Sequence, residues 1–174
     1  MPAEFNWEDP LDLESHLSDE ERMIRDSARA FAQDKLMPRV KSAFREERFD
    51  RDIMNEMGEM GFLGVNYPKE YGGLGLDFGY NAIINEEFGY NTDVATGFSL
   101  QTDIVANYII QYGSEEQKKQ WLPKMVSGEV ITAIAMTEPG TGSDLQGMRT
   151  TAKKDGNHYV VNGAKTYITN GQNA

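Results

Sequence analysis

Apolar residues recur at helical spacing through the first three quarters of the chain, and that spacing gives way near residue 128. Ile24, Ala28, Phe31, Ala32 and Leu36 share one helical face. They follow Ser18 and Glu21, whose three-residue spacing is that of a capping box, with Asp19 and Glu20 suited to the positive helix end. The pattern predicts a helix that starts at Ser18 and is disturbed or kinked at Pro38. Ile53, Met57 and Met60 predict a second helix over about 51–60, closed by Gly61. Pro68, Gly72, Gly73 and Gly75 mark residues 62–78 as a loop. A third helix is expected over about 80–88. A fourth, over about 92–111, is apolar on most sides and therefore expected to be buried. Gly113 ends it, and a second capping box, Ser114 with Gln117, opens a fifth helix to about Val126.

Past Gly128 the signals are those of strands. Val130–Met136 is a short apolar run with a β-branched start, predicting a strand over 130–137. Turn signals follow at Asp155–Gly156 and Asn162–Gly163. The second, flanked by 158–161 and 164–168, is the stronger hairpin signal, with strand expected over 157–169. Residues 1–17 read as an extended arm whose Phe5, Trp7, Leu11 and Leu13 suggest packing on something. The expected fold class is a mainly α N-terminal helical domain, residues 18–128, followed over 129–174 by the start of an antiparallel β-domain. So few strands would leave open edges, as in a domain cut in half.

Composition narrows the function. The chain has 174 residues, 39% hydrophobic and 26% charged, which is a globular composition. Its net charge is −11, most of the excess acidity lying in residues 1–60. That disfavours binding to nucleic acid phosphates and to anionic membranes. The absence of cysteine excludes a disulfide framework, a thiolate metal site and a Cys nucleophile. With two histidines, His16 and His158, far apart in sequence, a His-rich metal site is not expected. The acidic N-terminus lacks the features of a secretory or transit segment, so the expected location is the cytoplasm, or the mitochondrial matrix for a matured eukaryotic chain.

The segment that carries chemistry is Met136-Thr-Glu-Pro-Gly-Thr-Gly-Ser-Asp144. Gly140 and Gly142 allow close backbone approach, Thr137 and Ser143 offer hydroxyls, and exposed amides there can hold an anion. On physics alone it is either a phosphate or cofactor loop or an ordinary glycine-rich connection. Together with Tyr167-Ile-Thr-Asn-Gly171 downstream, it resembles the acyl-CoA dehydrogenase family, in which TEPxxGSD is a signature. The likeness covers the whole chain, including MGEMGFLGVNYPKEYGGLGLD and YGSEEQKKQWLPKMVSGE. Residues 1–48 look most like glutaryl-CoA dehydrogenases, and residues 129–174 more like straight-chain, especially long-chain, members.

The resemblance implies FAD as cofactor and the α,β-dehydrogenation of a fatty acyl-CoA. Ile134, Ala135, Met136 and Thr137 match the segment along the flavin ring. Gly142 and Ser143 match positions near the flavin phosphates and the CoA arm. Tyr167, Ile168 and Thr169 match a second flavin segment, where the family commonly has Trp at the Tyr167 position. Ser99, Leu100 and Gln101, with Ser143, match substrate-binding positions, although plain buried-helix packing explains the first three as well. The resemblance also implies electron-transfer flavoprotein as acceptor and a homotetramer for the complete protein. The family's catalytic base belongs to a C-terminal helical domain, so no catalytic residue is assigned in this chain. Glu138 is expected to be part of the loop framework and Glu86–Glu87 a solvated face, with His16, His158 and Lys153–Lys154 on the surface. Glutaryl-CoA enzymes carry an arginine after Gly-Tyr, where this chain has Asn91, which implies a preference for monocarboxylic acyl groups. An alternative is a non-catalytic flavin- or CoA-binding or assembly module completed by a partner chain.

Overall fold

The computed structural model describes residues 5–90 and 96–174. The Asn91 position and residues 92–95 of the expected fourth helix therefore lie outside the described residues. Helix α1 spans Asp19–Phe31 and α2 spans Met37–Arg45. Both halves of the Ser18/Glu21 capping box form: the Ser18 hydroxyl accepts from Glu21 N and the Glu21 carboxylate accepts from Ser18 N. Between the two helices, Ala32–Leu36 form a π turn. Pro38 has no N–H to offer the carbonyl one turn back, and the wider turn upstream lets the helix continue through it. Of the two readings open at Pro38, a disturbed end or a kink, the end does not occur: α2 carries the helical path on to Arg45.

Helix α3 is Arg51–Glu59, and Gly61 takes φ 79°, while Phe62 N closes the end on Met57 O at 3.0 Å. Helix α4 is Phe78–Tyr90. Among the described residues the next helical stretch begins at Phe98, and Thr96 and Gly97, expected within the fourth helix, are not helical. It passes through a π turn, Leu100–Val105, into α5, Ala106–Tyr112. Ile104, Tyr108 and Tyr112 face solvent, so this helix is buried on one side rather than all round. Helix α6, Glu115–Val126, carries the second capping box, both halves again present.

The helices close over an aromatic and methionine core. Phe62 meets Phe31 and Phe88 edge-on at 5.5 and 5.4 Å, and Phe88 meets Phe98 at 5.1 Å. Ile53, Met54, Met57, Leu63, Val65 and Ile131 fill the space around them. Tyr67, Tyr71, Ala106, Leu122 and Met125 form a second cluster. The 62–78 loop is thus core: Phe62, Leu63, Val65, Tyr67 and Tyr71 are all buried. Its glycines set the turns, while its apolar residues do the packing.

Glu86 is solvated as expected, but Glu87 is buried at 5% exposure and receives two hydrogen bonds, 2.8 and 2.7 Å, from Arg29 on α1. The pair joins α1 to α4 across 58 residues, a partnership that no local pattern encodes. His16 and His158 are exposed, as are Lys153 and Lys154. The arm is also exposed; Trp7 is 86% accessible and touches Phe5 edge-on at 4.9 Å.

Beyond α6 the expected strand over 130–137 does not form. Among the described residues no neighbouring strand supplies a ladder, and single contacts hold the segment instead. Among them Val130 N donates to Lys124 O at 3.0 Å, and Thr132 N donates to the Gln101 side chain at 2.9 Å. The hairpin sits at the other turn signal. Strand β1, Thr151–Asp155, pairs antiparallel with β2, His158–Asn162, with Asp155 opposite His158 across Gly156–Asn157. Gly156 takes φ 58°, which suits a two-residue turn. Asn162–Gly163 closes no hairpin; the chain instead runs past Thr150 toward the site.

Candidate functional site

Two segments far apart in sequence meet at one place. Thr166 N donates to Thr137 O at 3.0 Å, laying 134–137 beside 165–169. Asn170, 8% exposed, donates to both Thr132 O and Gly97 O, at 3.3 and 3.2 Å. That ties the second segment to the first and to the turn entering helix 98–112. Gly97 is required at that turn. Its φ is 57°, and a Cβ there would lie 2.8 Å from Thr169 Cγ2 and 2.9 Å from Asn170 Oδ1.

The candidate site residues divide by exposure. Ala135 and Met136 are exposed and Ile134 and Thr137 half-buried. Among the described residues, the N–H groups of Ile134, Ala135, Met136 and Thr137 donate to nothing in the chain. Tyr167 is 92% exposed and takes φ 55°, an unfavourable conformation for a bulky residue, which holds its ring outward. Ile168 is half-buried and Thr169 exposed. Gly142 and Ser143 lie on an exposed loop whose base is a two-way backbone bridge between Glu138 and Thr141, 3.0 Å each way. The Thr141 hydroxyl fastens its far side to Gly147 O at 3.1 Å.

Ser99 and Leu100 are half-buried at the start of the helix. Gln101 is fully buried, and both ends of its amide are engaged. Its oxygen accepts from Thr132 N at 2.9 Å, and its nitrogen donates to Met125 O at 3.1 Å. The Gln101 side chain therefore fastens the first segment to α6 rather than opening onto a pocket.

Glu138, 7% exposed, organises the loop. Its carboxylate accepts from Arg149 N at 2.8 Å and Thr150 N at 2.9 Å, and pairs with Lys165 Nζ at 3.0 Å. The Thr150 hydroxyl beside it, then these backbone donors and Lys165, hold its carboxyl down at about 2. That hydroxyl makes no hydrogen bond of normal geometry, so the N–H donors and the ammonium keep the group ionised. A carboxylate so held is a poor proton acceptor near neutral pH. Lys165, Asn170 and Thr166 escaped sequence reasoning because their partners lie 17 to 73 residues away. Among the described residues no His, Asp or Glu cluster could hold a metal ion, and no helix is long and apolar enough to cross a membrane.

A family model described as the acyl-CoA dehydrogenase N-terminal domain matches residues 18–129, and one for the acyl-CoA dehydrogenase middle domain matches 133–174. The chain is 46% identical over 154 residues to the mitochondrial long-chain specific acyl-CoA dehydrogenase of Sus scrofa, covering 88% of this chain and 36% of that protein. A crystal structure of acyl-CoA dehydrogenase from Geobacillus kaustophilus superimposes with a TM-score of 0.85 at 48% identity, over 90% of this chain and 41% of that one. A glutaryl-CoA dehydrogenase from Mycobacterium smegmatis in complex with FADH2 gives 0.87 at 34% identity, over 92% and 42%. The chain thus spans about two fifths of the length of these relatives.

Proposed function

We propose that this chain, which belongs to the acyl-CoA dehydrogenase family, contributes the N-terminal helical part and the first cofactor-facing segments of a flavin-dependent enzyme that desaturates fatty acyl-CoA thioesters. The observation that carries this reading is the row of undonated N–H groups at 134–137, laid beside an outward-held Tyr167 ring. Such a row fits a planar, electron-accepting heterocycle, on which negative charge develops and is stabilised by fixed donors. FAD is the cofactor assigned to it. When bound, FAD supplies the acceptor for the β-hydrogen of the acyl chain, leaving as hydride.

The chain's own residues do the holding. Ile134, Ala135, Met136 and Thr137 present donors, Tyr167 packs an aromatic face, and Ile168 and Thr169 complete that edge. Gly142 and Ser143, on the loop that Glu138 organises, receive the phosphates and the CoA arm. Ser99 and Leu100 line the acyl side, with Gln101 fixing their helix to the first segment. The division is an arm over 1–17, a helical domain over 18–128 and the start of a β-domain over 129–174. Removing the α-proton requires a base from outside residues 1–174, because Glu138 is committed to Arg149, Thr150 and Lys165. The complete enzyme is assigned as a homotetramer that passes electrons to electron-transfer flavoprotein, in the cytoplasm or the mitochondrial matrix.

The test is an FAD titration of the purified chain together with an assay of octanoyl-CoA-dependent dye reduction. Saturable but weak FAD binding without turnover is expected. A folded chain that binds no FAD overturns the flavin reading, and genuine turnover overturns the assignment of the base.

A further inference from the structure

We infer that Lys165 and Glu138 form an ionic clamp that sets the distance between the two flavin-facing segments, and that Lys165 is a positioning residue for the cofactor. The inference rests on the flavin reading of 134–137 and 167–169. Lys165 Nζ makes three polar contacts, one for each of its protons: Met136 O at 2.8 Å, Glu138 Oε1 at 3.0 Å and Met148 Sδ at 3.4 Å. It thereby grips the first segment at Met136, one residue before Thr137, while standing two residues before Tyr167. Glu138 extends the grip to a third strand of chain through Arg149 N and Thr150 N, just ahead of β1.

The pair is enforced by burial. The Glu138 side chain is 7% exposed and that of Lys165 22%. Removing the ammonium leaves a carboxylate out of water with only two neutral donors, which is costly. The chain relieves that cost by letting the 136–138 and 165–166 segments part, because only one backbone bond, Thr166 N to Thr137 O, otherwise joins them there. Beside the clamp Ala135, Met136, Tyr167 and Thr169 are exposed and Ile134, Thr137, Thr166 and Ile168 only half-buried, so little packing keeps the segments in place. Flavin affinity then depends on the clamp because the site must be held in order before the ring arrives.

The experiment compares wild type, Lys165→Met, Lys165→Arg and Arg29→Met by FAD titration and by hydrogen exchange at the Thr166 amide. Lys165→Met is expected to weaken FAD binding about tenfold or more and to speed Thr166 exchange by a similar factor, as a lost charge-assisted contact would. Lys165→Arg, which keeps the charge, is expected to recover most of both. Arg29→Met breaks an ion pair within the helical part and should lower stability with FAD affinity unchanged. Equal FAD affinity in wild type and Lys165→Met, or an equal loss in Arg29→Met, overturns the clamp. Should Lys165→Met fail to fold, native-state exchange of wild type decides: Arg149, Thr150 and Thr166 amides must open as one unit, and independent opening overturns the inference. A folded wild type without FAD binding refutes the flavin reading itself, a result distinct from failure of the clamp.

Discussion

Replacing Gln101 with Leu should destabilise the protein by about 2 kcal/mol, and the structure gives the terms of that figure. Gln101 is fully buried and joins Thr132 N and Met125 O, residues 31 and 24 positions away. Leucine nearly fills its volume but leaves Thr132 N without a partner, while Met125 O keeps the Gly128 N–H at 3.3 Å. An unpaired buried donor or acceptor costs about 1–3 kcal/mol. Thr132 N, half-buried and left unpaired, carries about 2 kcal/mol, whereas Met125 O, which keeps one donor, carries the lower end, about 1 kcal/mol. Loss is then roughly 3 kcal/mol, offset by about 1 kcal/mol for the added apolar burial. For a chain of this size that corresponds to a fall in Tm of roughly 4–8 °C. Urea unfolding measures it directly, with a lower midpoint at unchanged m-value. Gln101→Glu keeps the acceptor for Thr132 but turns a carboxylate toward the Met125 carbonyl, so it should be worse at pH 7 than at pH 4. If Gln101→Leu falls within about 0.5 kcal/mol of wild type, as surface substitutions do, the amide bridge holds nothing and the reasoning fails.

Three further outcomes follow from other contacts. Arg29→Ala removes both charge-assisted hydrogen bonds to the buried Glu87; since the Arg29 side chain is half exposed, a loss of about 1–3 kcal/mol is expected in urea unfolding, and Glu86→Ala on the solvated side should cost almost nothing. Gly97→Ala combines a left-handed φ with contacts under 3 Å at Thr169 and Asn170, so amide exchange at 168–171 should rise well above wild type, and unchanged exchange would show that this turn does not hold the second segment. The Glu138 carboxyl lies at about 2 in the folded chain and near 4.5 when unfolded. Its folded value is depressed, so its contribution is fully present above 4.5 and is lost as pH falls toward 2. Over that window wild type should lose stability more steeply than Glu138→Gln in a circular-dichroism acid titration, and parallel curves would contradict the contacts drawn to this carboxylate.

Helix starts were legible because their signals are local. Ser18 with Glu21 and Ser114 with Gln117 complete capping boxes within three residues, so nothing distant can alter them. The face of α1 was legible for a similar reason, since a 3.6-residue period specifies which side is buried before the partner is known; in the second helix Ile53 and Met57 are buried but Met60, expected with them, is half exposed. The family signature at 136–144 and 167–171 was equally local. The strand over 130–137 failed because a strand exists only through a neighbour. An apolar run says that a segment is buried, and here the Gln101, Asn170 and Lys165 side chains took the place of a ladder. The choice between two turn signals failed likewise, as both satisfy the local rule and cross-strand register selects one.

The order of helices, their caps and the family motif at 136–144 are thus properties of the sequence read along the chain, because each depends on residues within a turn or two. Tertiary structure alone decided that Glu87 is buried against Arg29, that Glu138 is ionised and spent, and that Thr137 lies beside Thr166. Those facts depend on charges and backbone groups brought together from 11 to 58 residues apart, and only the closing of the core determines which of them meet.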